Sequence, residues 1–445
     1  MYFSIFVLTE NQINTAMKKT ALFLLILAAA ACTRQSIEPY GALPTPAQLE
    51  WQDLEMYMFC HFGPNTFTNV EWGNGQENPD VFNPEALDCD QWARIAKEAG
   101  MKGIVITAKH HDGFCLWPSE FSTHTVAQSA WRDGKGDVLK ELSEACKKYG
   151  ILFGVYISPW DRNHPAYGTE EYNQVFANTI REVHSKYGPI FEQWFDGANG
   201  GAKIPDYDWP LFNGTVAELS PNAVIFSDVG PGCRWVGNER GRTKETNWSR
   251  LDTEGFTPGV GSPKTDTLSI GNVHGANWIP VEVDVSIRPG WFYSPDTDSK
   301  VKNADQLMEI YFSSVGNNSN LILNVPPDRS GRINPADSAS LMAFKAAREE
   351  YFKEKLGTGN KKLTAKLDPN KPAKCVILKE NIANGQKVKS FVVEAKDGKD
   401  WNKIAEGTTI GHKKIVRFDP VSTKAVRVRI TDSFAPEEIT LMEVY

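Results

Sequence analysis

The strongest constraint on the fold is an alternation. From about residue 55, short apolar runs take turns with longer amphipathic stretches. "MYMFCHFG", "GIVITAKHH", "ILFGVYIS", "IFEQWFDG", "AVIFSDVG", "VEVDVSI" and "LILNVPP" read as strands. Most lack polar–apolar alternation, as strands do when both faces are buried. Between them, stretches such as "EALDCDQWARIAKEAG", "DVLKELSEACKKYG" and "TEEYNQVFANTIREVHSKYG" carry helical spacing, and a residue such as Gly100 supplies a stop. Repeated βα units predict a parallel sheet. Their extent, roughly 300 residues, fits an α/β fold, a (β/α)₈ TIM-like barrel with one irregular quarter between residues 230 and 280.

The character changes after "KLGTGNKKLTAKLDPNKPAK". Helical spacing stops, and "CVILKENI", "KSFVVEAK", "KIVRFDP", "AVRVRITD" and "ITLMEVY" read as short strands between polar turns. A catalytic barrel over residues 43–356 is therefore expected, then a small all-β sandwich over 357–445. The sandwich offers few large aromatics near its turns, Trp401 and Phe434 among them, so packing against the barrel is its expected role.

The N-terminus reads as an address. "MKKTALFLLILAAAACTRQ" begins at Met17 with two lysines, continues in an apolar run and ends in small residues before Cys32. That is a secretory signal rather than a membrane span, and it resembles a lipoprotein signal in which Cys32 is lipidated. Residues 1–32 are thus expected to be upstream residues and signal peptide. The mature protein is expected in the periplasm or anchored at the outer membrane, touching the membrane only through lipid. The formal charge of −7, with no basic stripe, argues against nucleic acid as a partner. The other cysteines (Cys60, Cys89, Cys115, Cys146, Cys233 and Cys375) show no C-x-x-C or zinc-type spacing.

Polar and aromatic residues collect where barrel strands end: His61, His110 and His111, Trp160 and Asp161, Trp194 and Asp196, and Trp291. The C-terminal face of such a barrel carries the active site. Asp196 closes an apolar strand, where a carboxylate is out of place unless it is paired or reactive. A carboxylate nucleophile needs a second carboxyl group across the site. Glu239 lies between glycines in its loop with Trp235 near enough to desolvate it; Glu245, Glu282 and Asp284 remain alternatives. A metal held by His61, His110, His111 and Asp196 is the competing reading. It is disfavoured because neighbouring strand residues point to opposite faces, and no metal is expected. Neutral imidazoles that bond sugar hydroxyls, with rings covering apolar sugar faces, suit the thirteen tryptophans better.

The segments "FCHFGPNTF", "VEWGNG", "ITAKHHDGFCLWPS", "GVYISPWD", "QWFDGA" and "LILNVPPDRSGRI" resemble bacterial α-L-fucosidases of glycoside hydrolase family 29. The resemblance implies a cofactor-free, retaining exo-glycosidase that releases terminal α-L-fucose from fucosylated glycans. It makes Asp196 the nucleophile and places His61, Glu71, Trp72, His110, His111, Trp194 and Trp291 around the sugar, with Tyr156 and Trp160 nearby. "RWVGNERG" resembles the subfamily that prefers α-1,3 and α-1,4 fucose on branched, Lewis-type glycans, which makes Glu239 the acid/base. A broad-specificity fucosidase is the alternative, and a metal-dependent barrel hydrolase or a non-catalytic glycan-binding lipoprotein are the rival classes.

Overall fold

A computed structural model describes residues 38–200, 206–259, 261 and 263–445. The signal-type segment and Cys32 lie outside the described residues. Eight parallel strands close into a barrel in chain order: β1 (Met56–Cys60), β2 (Gly103–Lys109), β3 (Leu152–Ile157), β4 (Ile190–Trp194), β5 (Val224–Ser227), β6 (Cys233–Trp235), β7 (Val281–Ser286) and β8 (Ser319–Asn324). β8 pairs with β1 and closes the ring, with Met56 opposite Leu321 and Met58 opposite Leu323.

Strand parity sorts the side chains. Met56, Met58, Ile104 and Ile106 point outward into the layer shared with the helices. Tyr57, Phe59, Val105, Tyr156, Trp194, Phe226 and Ile322 point inward and fill the barrel. Both sets are buried, so no polar alternation marks these strands. The helices Cys89–Glu98 and Val138–Tyr149 begin on Asp88 and Asp137, whose carboxylates accept the backbone N–H groups of Gln91 and Lys140. Gly150 ends the second helix in the left-handed conformation.

The irregular quarter contains β6, a three-residue strand that the apolar pattern did not reveal. Only residues 228–232 link β5 to β6, without a helix. Ser227 holds this link by donating from Oγ to the Gly230 carbonyl and accepting from the Val229 N–H. A long excursion follows, carrying the helix Thr265–Ile270 and a two-stranded ribbon of Arg250–Leu251 with Asn277–Trp278. Buried Arg234 ties it down by donating to the carbonyls of Leu268 and Trp248.

The C-terminal region is a sandwich of two four-stranded antiparallel sheets over an apolar core that includes Val376, Leu378, Phe391, Val393, Val426 and Val428. The strand Asp400–Gly407 is one that sequence reading passed over. The sandwich is stitched to the barrel. Thr409 Oγ1 accepts the Asn247 N–H at 2.9 Å, Gln386 Oε1 accepts the Ser249 N–H at 2.8 Å, and Lys414 Nζ donates to the Glu245 carbonyl at 3.0 Å. Cys60, Cys89, Cys115, Cys146, Cys233 and Cys375 are buried free thiols.

Candidate active site

At the C-terminal ends of the strands a cavity of about 350 Å³ opens, of a size suited to a small ligand. His61, Trp72, His110, His111, Trp194, Asp196, Glu239 and Trp291 all line it. Six separate strand ends or loops therefore converge, and each contributes through its position along the chain.

Asp196 lies two residues beyond the last residue of β4. Tyr156, from β3, donates its hydroxyl to Asp196 Oδ2 at 2.9 Å, and the Ala198 N–H donates to Oδ1 at 2.7 Å. Both oxygens are thereby aimed, while about a quarter of the side chain (26%) stays open to solvent. The Trp194 indole stacks on Phe226 at 3.8 Å and forms a flat apolar floor. Its Nε1 donates at 2.8 Å to Glu282, which is fully buried beneath it.

The tandem histidines do not sit on opposite faces. A register shift between Thr107 and Lys109 ends β2, and His110 and His111 follow in a turn. The turn closes on Gly113, whose N–H donates to the His110 carbonyl and whose φ of +82° suits glycine. Both imidazoles face the cavity, their centroids 4.1 Å apart. The opposite-face objection to chelation thus fails on geometry. Among the described residues, however, the ligand atoms close enough to share one ion are those of Glu192, Cys233 and Glu282, below the floor.

Hydrogen-bond partners assign the tautomers. Asn324 Nδ2 donates to Ser286 Oγ and to the Trp291 carbonyl, so its Oδ1 accepts from His61 Nδ1 at 2.9 Å. Ser158 Oγ gives its proton to the Trp160 carbonyl and accepts from His111 Nδ1 at 2.8 Å. His61 and His111 then keep Nε2 as an acceptor. Asn65 Nδ2 lies 3.5 Å from His110 Nδ1, which leaves Nε2–H of His110 as a donor. Burial pushes His61 down to about 3, against the Asn324 hydrogen bond, and lowers His110 well below its ordinary range. The trio is neutral and offers both donor and acceptor capacity, which matches hydroxyl groups.

Glu239 stands at the exposed rim, yet loss of hydration around its carboxyl raises its pKa. A hydrogen bond from Trp291 opposes that rise, and the negative charge of Asp196 adds to it. Trp235, expected to desolvate it, donates Nε1 to Asp284 at 2.9 Å. Glu71 lies at the rim, where its carboxylate accepts the Trp291 N–H at 2.7 Å and so fixes the loop bearing that indole. Trp72 is 56% exposed and packs edge-on to His111 and Trp160. Asp161 does not enter the cavity. It forms a buried ion pair with Lys109 at 2.8 Å.

The alternatives for a second carboxyl separate cleanly. Glu282 is under the floor, and Glu245 lines a neighbouring groove. Asp284 lines the cavity but is buried on the barrel wall, its pKa raised far by burial first and then by the charge of Glu239. Sequence reading missed Phe59, Phe226 and Asp228 as wall residues. Burial first, then the charge of Asp196, raises Asp228 to about 6 against hydrogen bonds from backbone amides. Its signal was parity: Phe59 and His61, like Phe226 and Asp228, are two apart on one strand direction.

Two carboxyl groups on one cavity, with neutral histidines over an indole floor, suit the cleavage of a sugar linkage. Residues 39–346 match the family model described as alpha-L-fucosidase. The chain belongs to the alpha-L-fucosidase family, glycoside hydrolase family 29. It is 37% identical to Alpha-L-fucosidase 1 of Arabidopsis thaliana, over 92% of this chain and 88% of that one. Its fold matches the crystal structure of a glycoside hydrolase 29 family member from an unknown rumen bacterium, with a TM-score of 0.85, 42% identity and coverage of 92% and 78%. It also matches a Ruminococcus gnavus GH29 fucosidase in complex with fucose, with a TM-score of 0.83, 28% identity and coverage of 93% and 96%. As a member of this family the chain is a glycoside hydrolase with α-L-fucosidase activity.

Proposed function

We propose that this fucosidase works by retention, with Asp196 as nucleophile and Glu239 as acid/base. The observation that carries the proposal is the contrast between two carboxyl groups on one cavity. Asp196 is held and aimed by two donors, the Tyr156 hydroxyl and the Ala198 N–H. Glu239 is pushed toward its protonated form by desolvation and by the charge of Asp196. An Asp196 oxygen attacks the anomeric carbon as the bond to the leaving oxygen breaks, and Glu239 gives that oxygen its proton. The fucosyl ester on Asp196 is then cleaved by water, which passes a proton to Glu239 as its oxygen joins the anomeric carbon. His61, His110 and His111 hold hydroxyls; Trp72, Trp194 and Trp291 cover the apolar faces of the sugar. No step calls on a metal or cofactor, and treatment with EDTA should leave turnover unchanged.

The linkage reading rests on "RWVGNERG": terminal α-1,3 or α-1,4 fucose on branched, Lewis-type glycans. A broad-specificity fucosidase is the second reading. Product analysis on α-1,2, α-1,3, α-1,4 and α-1,6 fucosylated glycans decides between them, because efficient 1,2 or 1,6 cleavage sinks the narrower one. The signal-type segment before Cys32 supports export as a lipoprotein. Glu239→Ala should lower turnover of a Lewis trisaccharide about 10²- to 10⁴-fold, with azide restoring activity on an aryl fucoside. Full activity of Glu239→Ala would overturn the assignment. Asp196→Ala should be slower still and should show no rescue through the same product.

A further inference from the structure

Beyond Glu239 the site does not end. A second cavity, about 1010 Å³, is lined by Trp235 and Glu239 on the side it shares with the sugar pocket and by Arg240, Arg242, Lys244 and Glu245 beyond. A general acid stands over the bond it cleaves, so the leaving group lies on the acid's far side. That side is this groove. Its lining is polar apart from Trp235 and Gly237, unlike the aromatic sugar pocket.

Its charges are unequally engaged. Lys244 is paired with Asp266 at 3.2 Å. The charge of Glu245 acts on Lys414, across at the sandwich. Among the described residues, neither the Arg240 nor the Arg242 guanidinium has a hydrogen bond or ion pair, and both residues are exposed. Their backbone is nevertheless fixed. The Arg240 N–H donates to Asn238 Oδ1 at 3.0 Å, and Asn238 Nδ2 donates to the Arg242 carbonyl at 3.1 Å. The Thr243 N–H donates to the Ser313 carbonyl at 3.0 Å, and Ser313 Oγ donates to the Gly241 carbonyl at 3.0 Å. Two unpaired guanidinium groups are thus carried on a braced loop immediately past the acid/base. A planar, delocalised cation on a fixed backbone suits carboxylate or sulfate oxygens.

We infer that the groove beyond Glu239 is a leaving-group site for an anionic sugar, so that the preferred substrate carries a carboxylate or sulfate ester on the glycan from which fucose is released. The inference rests on Glu239 being the acid/base. The Trp235 ring supplies an apolar wall at the junction, where the first leaving-group sugar would lie.

The test compares kcat/KM for three glycans: a neutral fucosylated trisaccharide, the same glycan bearing sialic acid, and the same glycan bearing a sulfate ester. At low salt at least one acidic glycan should be preferred over the neutral one by about tenfold, and roughly 0.5 M NaCl should erase most of that preference. Arg240→Ala/Arg242→Ala should lower kcat/KM on the preferred acidic glycan about tenfold more than on the neutral one. Glu245→Gln, which removes a competing negative charge, should widen the preference about twofold. Equal rates on all three glycans, or a double variant that slows neutral and acidic glycans alike, would overturn the inference. Failure to release fucose from any of them would instead remove the underlying fucosidase mechanism.

Discussion

At the residue scale, the surroundings of Glu239 pull its carboxyl in opposite directions. Trp291 gives a direct handle on this. Its hydrogen bond favours ionised Glu239 and so holds the pKa down, against desolvation and the charge of Asp196, which raise it. In the proposed mechanism Glu239 must be protonated to act as acid, so activity should fall as pH rises through its pKa. Trp291→Phe removes the bond, raises the pKa further and should move the alkaline limb of the pH profile of kcat/KM to higher pH. A loss of ring packing alone would raise KM and leave the limb where it was. The sequence drew attention to Asp196, because a charged residue at the end of an apolar strand is anomalous by itself; it left Glu239 among four candidates until the resemblance singled it out. It hid the arrangement of His110 and His111. Strand parity sets them on opposite faces, and only the irregular end of β2 brings both into the cavity.

At the scale of elements, the strand ends are joined by groups that do not line the cavity. Lys109, the last residue of β2, and Asp161, just after β3, form an ion pair with side chains 3% and 4% exposed. Asp161 also accepts the N–H groups of Asn163 and His164, and Lys109 donates to the Tyr172 hydroxyl. Burial would raise the Asp161 pKa; Lys109 and these donors outweigh it and hold the carboxyl below its ordinary range. Asp161→Asn leaves a buried ammonium without its counter-charge and should cost about 3–5 kcal/mol of unfolding free energy, measured by urea titration. An unchanged midpoint would show the pair to be dispensable. From the sequence, Asp161 looked like one more group aimed into the mouth, since a strand-end carboxylate has the same signature whether it meets substrate or lysine. Seven barrel strands were legible because each is an apolar run. β6 was not, because three residues set no period and its link from β5 has no helix to announce a βα unit.

At the scale of the whole molecule, barrel and sandwich share one compact unit spanning Pro39–Tyr445. The bonds between them are polar: Asn247 with Thr409 and Ser249 with Gln386, both buried, and Asn318 Oδ1 with the His412 N–H at 2.7 Å, partly buried. A chain ending at residue 356 would lose these bonds and bare the barrel face, including the apolar surface packed on Cys375, Ile377 and Ile415. Such a chain should aggregate or lose fucose release even though every residue lining the cavity is retained. A soluble, fully active truncation would show the sandwich to be a passenger. The change of pattern near residue 357 made the second fold visible in the sequence, but composition carries no sign of which barrel loop it grips.

It grips the one that carries Glu239. Asp196 hangs from a barrel strand, whereas the excursion bearing Glu239 has its footing at residues 245–249 on the sandwich. The two carboxyl groups proposed to share the reaction therefore have separate mechanical parents. A chimera that exchanges the 236–246 loop between relatives, to alter which bond is cut, would misplace Glu239, the proposed proton donor, unless the matching stretches around Gln386, Thr409 and Lys414 travel with it.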